Sequence, residues 1–156
     1  MKTILSILAS FTTLFTFAQE PVTWLGGTPG QATSWHVATN WSNHQVPDEN
    51  TIVIINNSNT GHHAQPVISQ PVEVRSIEIY NGASLQVTEQ GGILIDGTFD
   101  YTEGIQVYGG HLINNGFVVL HNTDGHEHQD IATIIEGEGM VMMDDKEIRK
   151  TVIVSK

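Results

Sequence analysis

The sequence predicts an all-β fold, a right-handed parallel β-helix (β-solenoid) with a Trp-rich cap at its N-terminal side. Three observations carry this expectation. Short runs rich in Val and Ile recur along the chain, Asn-Gly, Asp-Gly and Gly-Gly pairs separate them, and similar segments return twenty residues apart. No stretch holds a helical period over ten or more residues, so helix is at most minor.

In chain order, residues 1–18 read as a removable signal peptide. Lys2 supplies the positive charge, Ile4 to Phe17 is apolar apart from Ser and Thr, and Thr16-Phe17-Ala18 places small residues at the cleavage positions. The run is shorter than the roughly 20 apolar residues of a membrane span. No span is therefore expected after cleavage. With no cysteine near the cut, a bacterial lipoprotein is not expected, and with none in 156 residues the fold is expected to rest on packing and backbone ladders rather than disulfides. The expected product is exported: secreted, on the cell surface or in the periplasm of a Gram-negative bacterium.

Residues 19–50 form the expected cap. Trp24-Leu25-Gly26-Gly27 leads to Trp35, Asn40-Trp41-Ser42 and Val46-Pro47-Asp48, and these hold all three tryptophans of the chain. Large aromatic rings suit the open end of a stack of strands, where unpaired backbone and apolar core would otherwise face water. Asn40 and Ser42 are expected to bond nearby backbone, and Pro47 to fix the turn. The competing reading makes Trp24, Trp35 and Trp41 a sugar-stacking platform.

Residues 51–145 form the expected solenoid, and 146–156 a basic strand or tail. The first strand is Ile52 to Ile55. Val72/Val74, Ile77/Ile79, Leu85/Val87, Ile93/Ile95, Phe99/Tyr101 and Ile105/Val107 follow as apolar pairs. Phe117 to Leu120, Ile131 to Ile135, Met140 to Met143 and Val152 to Val154 complete the series. Leu85/Val87 and Ile105/Val107 lie twenty residues apart, as do Ile93 and Ile113. Three short strands in each period of about 20 residues suit four or five stacked coils. An antiparallel sandwich or jelly roll is the alternative, since the same strands and turns also suit hairpins.

The Trp24 to Ile55 pattern, with Gly82-Ala83-Ser84-Leu85-Gln86-Val87 after it, resembles the start of exported parallel β-helices of the passenger and adhesin type found among Bacteroidota surface proteins. It also loosely resembles the G8 domain. The likeness covers about residues 22–120. It implies a surface scaffold and speaks to architecture far more than to activity. Lys150 to Lys156 is faintly similar to the last strand of type IX sorting domains.

Charge narrows the partners. Residues 19–145 carry Arg75 as their single Lys or Arg against sixteen acids, and the net charge of the whole chain is −11. Nucleic acid, which needs a basic surface, is an improbable partner. A surface glycan or another surface protein is the expected one, and the oligomeric state is left open. The polar cluster His121 to Asp130 offers a divalent-cation site built from Asp124, His126, His128 and Asp130, against the plainer reading of a polar loop. His62-His63 is a weaker pair of the same kind. No other cofactor is expected. The chain has no cysteine nucleophile, no Gly-x-Ser-x-Gly elbow and no phosphate loop. A truncated carbohydrate-active β-helix enzyme is the catalytic alternative, with Asp96 and Asp100 as its nearest carboxylate pair. The expected function is non-catalytic, structural or adhesive, and no catalytic residue is assigned.

Overall fold

The computed structural model describes residues 20–57, 64–96, 104–121, 134–144 and 146–147, the last two as backbone. The leader, His62-His63, Phe99 to Tyr101, the 122–130 cluster, residues 131–133 and the segment after Glu147 lie outside the described residues.

Among the described residues thirteen strands build three open sheets. The first sheet contains β1 (Val22–Thr23), β2 (Ile52–Asn56), β5 (Ser76–Tyr80) and β8 (Gly104–Tyr108), in that order. The second runs from β3 (Val67–Ile68) through β6 (Ser84–Val87) and β9 (His111–Asn114) to β11 (Ile135–Glu136). The third runs from β4 (Pro71–Glu73) through β7 (Gly92–Asp96), β10 (Phe117–His121) and β12 (Met140–Met143) to β13 (Lys146–Glu147). The chain visits the sheets in one cyclic order, as β2-β3-β4, then β5-β6-β7, then β8-β9-β10.

Every described strand pairing is parallel except β12 with β13. That removes the antiparallel sandwich and jelly roll, which need neighbours running in opposite directions. The registers also correct the twenty-residue spacing. Leu85 pairs with Leu112 rather than with Ile105, and Ile93 pairs with Val118 rather than with Ile113. From β2 onward, parallel partners lie from 19 residues apart (Val67 and Gln86) to 28 apart (Ile77 and Ile105). Each circuit holds three similar apolar pairs, so an echo measured along the chain landed one sheet away from the true partner.

Alternation explains how the core forms. Inward positions repeat as ladders: Val53, Ile77 and Ile105 in the first sheet, Leu85, Leu112 and Ile135 in the second, Ile93, Val118 and Val141 in the third. All are buried and belong to a single apolar cluster. Each such side chain contributes about 1.5–3 kcal/mol of gross burial energy. At the corner before the third sheet, Gly91, Gly116 and Gly139 stack. A β-carbon on Gly116 would press on the carbonyl oxygens of Gly91 and Thr88. The backbones approach too closely there for any side chain.

The segment before β2 covers two sheet edges. β1 pairs alongside β2, and Ser34 bridges to Val67 at the edge of β3. Asn40, fully buried, pins this segment: its Oδ1 accepts from Thr28 N at 3.0 Å, and its Nδ2 donates to Gln31 O and Ser34 O at 2.8 and 2.9 Å. Ser42 Oγ accepts from Thr23 N at 3.0 Å. Asn40 thus bonds backbone 6, 9 and 12 residues away, and Ser42 bonds backbone 19 residues away, across the segment rather than next to it in sequence. Among the described residues no helix is long and apolar enough to cross a membrane.

Candidate functional site

Exposure decides what the aromatic residues can do. Trp24, Trp35 and Trp41 are 3%, 0% and 0% exposed. Trp41 meets Trp24 and Trp35 edge to face, with ring centroids 4.9 and 4.6 Å apart. Trp24 Nε1 donates to Ala64 O and Trp41 Nε1 to Trp35 O, both at 2.8 Å. A sugar can stack only on an open ring face, so the platform assigned to these three residues is corrected: they are core.

The aromatic pair with solvent access lies on the outer face of the first sheet. Inward positions of β5 and β8 take Ile77, Ile79 and Ile105, which turns Glu78, Tyr80, Gln106 and Tyr108 outward. Parallel register sets Glu78 opposite Gln106 and Tyr80 opposite Tyr108. The two phenol rings stack, 4.9 Å between centroids and 16° between planes. Tyr108 is 52% exposed, so the outer ring of the pair is open to solvent.

The tight turns after the strands hold this geometry. Asn81 and Gly82 both have positive φ, at 52° and 72°. Asn81 N donates to Tyr108 O at 3.2 Å and Gly82 N to Gly109 O at 2.6 Å, which ties the two turns together. Asn81 Nδ2 reaches back to Asn56 Oδ1 at 3.1 Å. Asn56, Tyr80 and Tyr108 therefore form one outward row across three strands.

Each phenol is also fixed at its oxygen. Tyr80 donates to Glu78 Oε2 at 2.5 Å, and Tyr108 donates to Gln106 Oε1. The bond to Glu78, then burial, then the charges of Glu78 and Tyr108 push the Tyr80 phenol up to about 12. Tyr80 is thus a neutral donor at physiological pH, and the row offers ring surface and hydrogen bonds.

The proposed cation ligands Asp124, His126, His128 and Asp130 lie outside the described residues, as does Asp100. Among the described residues no three His, Asp or Glu side chains converge as a metal site. On the second sheet His111 Nδ1 meets Glu136 Oε1 at 2.8 Å, an exposed pair that contributes little.

No family matches. Compared with protein-family models, curated proteins and solved structures, the chain finds no significant counterpart. Tyr80 and Tyr108 were not singled out from the sequence, although a signal was there. Ile77-Glu78-Ile79-Tyr80-Asn81-Gly82 and Ile105-Gln106-Val107-Tyr108-Gly109-Gly110 match position by position, twenty-eight residues apart.

Proposed function

We propose that this chain is an exported, non-catalytic structural or adhesive protein of the bacterial surface or extracellular matrix, built as a right-handed β-solenoid with residues 19–50 as its cap. It binds a surface glycan or another surface protein through the outer face of the first sheet. The observation that carries this reading is the Tyr80–Tyr108 row, held in parallel register with an open ring at its end. Cyclic passage through three parallel sheets supports the solenoid, and the burial of the three tryptophans against two sheet edges supports the cap. A chain of net charge −11 that offers aromatic surface suits a neutral or cationic polymer better than a polyanion.

The test is binding of the purified chain to a panel of neutral, cationic and anionic polysaccharides and to isolated cell envelopes. Tyr108→Ala should weaken binding about tenfold, equivalent to the roughly 1.4 kcal/mol of one aromatic contact, while circular dichroism stays unchanged. Undiminished binding by Tyr108→Ala would move the adhesive surface elsewhere.

A further inference from the structure

In the four strands of the first sheet Glu78 is the single charged residue. It points outward between Ile54 on β2 and Gln106 on β8, and Tyr80 stands two residues further along the same face. The described partner of its carboxylate is the Tyr80 hydroxyl, at 2.5 Å. That donor is neutral, so the bond orients the negative charge without cancelling it. Beyond Tyr80 lies the stacked ring of Tyr108, open to solvent. Strands about 4.8 Å apart and a two-residue rise of about 6.6 Å put Glu78 and Tyr108 about 8 Å from each other at the backbone. One sugar unit can touch both side chains across that span. A carboxylate beside an open π face attracts a cation carried on an apolar body. A neutral ligand would leave the charge unanswered, and an anion would be repelled by it.

We propose that this row binds amino sugars, with a sugar ring stacked on Tyr108 and its protonated amine against Glu78. The inference rests on the adhesive reading of the same face and narrows its ligand to a cationic glycan. The sheet itself favours a glycan over a basic peptide. β5 is laddered on both sides, to β2 and to β8, so a ligand lying over it meets side chains rather than main-chain groups. Extended peptides that bind sheets are held by main-chain bonds along an edge strand. A sugar needs only rings, hydroxyls, amides and a countercharge, and this face is made of those: Tyr80, Tyr108, Asn56, Gln106 and Glu78. The net charge of −11 adds a long-range pull on any cation that approaches.

Calorimetric titration of the full chain tests this with two β-1,4-linked oligosaccharides of equal length, one of glucosamine and one of N-acetylglucosamine, in buffer acidic enough to protonate the amine. Acetylation turns the charged nitrogen into a neutral amide on the same backbone. The glucosamine oligomer should bind about tenfold more tightly, and added salt should shrink that preference. Glu78→Gln keeps an acceptor for Tyr80 and should abolish the preference while leaving binding of the acetylated oligomer in place. Glu78→Thr, well suited to a strand, serves if Glu78→Gln fails to fold. Tyr108→Ala should weaken both oligomers. Equal, Tyr108-dependent binding of the two would overturn the amino-sugar inference and leave the adhesive reading standing. Binding of neither would also overturn it, and the envelope assay with Tyr108→Ala then decides the adhesive reading separately. A preference that survives loss of Glu78 would place the cation elsewhere on the acidic surface. Tighter, Glu78-dependent binding of an oligolysine peptide would assign the face to a protein partner instead.

Discussion

The Tyr80 phenol donates to Glu78, and that bond sets how the first sheet responds to alkali. Folding raises this group from 10.0 to about 12, so the native state holds the proton more tightly than the unfolded chain does. Its contribution to stability is complete below about pH 10 and disappears as the pH climbs through about 12. Tyrosinate absorbance should therefore show one of the three tyrosines ionising late, and Tyr80→Phe should abolish that phase. A single common transition near the ordinary value would contradict the assigned bond. The tryptophans show what residue-level reading can and cannot supply. Their number and spacing marked an aromatic cluster, but a ligand platform and a lid have the same composition. What separates them is coverage. Here Asn40 folds the intervening segment back on itself through three hydrogen bonds, a long-range arrangement that spacing does not encode.

Strands were largely legible because alternation is local: Ile77/Ile79, Leu85/Val87 and Ile93/Ile95 all appear as inward-facing pairs. Which strand pairs with which was not, because register depends on corners that differ in length. From β6 to β9 the partner lies 27 residues on, yet from β3 to β6 it lies 19 on. The Tyr80–Tyr108 row hides for the same reason, since its members stand twenty-eight residues apart and fall outside a twenty-residue period. The glycines that punctuate the sequence also divide by role once placed. Gly30 has φ +75° with open space around it, whereas Gly116 is hemmed in by backbone. Gly116→Ala should cost about 3 kcal/mol in chemical denaturation, as overpacking against carbonyls that cannot move aside. Gly30→Ala should cost only about 1 kcal/mol, from strain in the left-handed region. Equal costs would mean that the stacked corner relaxes freely.

For the whole molecule, charge and direction matter more than any single contact. A net charge of −11 spread over a body with little basic compensation repels itself, and salt screens that repulsion over about 8–10 Å. The melting temperature should therefore rise as sodium chloride is added from low ionic strength. A fall would show that ion pairs outweigh the repulsion. Parallel pairing also gives each sheet a direction, with unlike edges. At one end of the third sheet stands β4, running with the stack; at the other stands β13, running against it. A second copy adding head to tail at that sheet would meet a strand of opposite sense, and the parallel ladder could not continue through it. Among the described strands the β12–β13 hairpin is therefore a chain terminator for this sheet, limiting how readily copies of the molecule add to one another there.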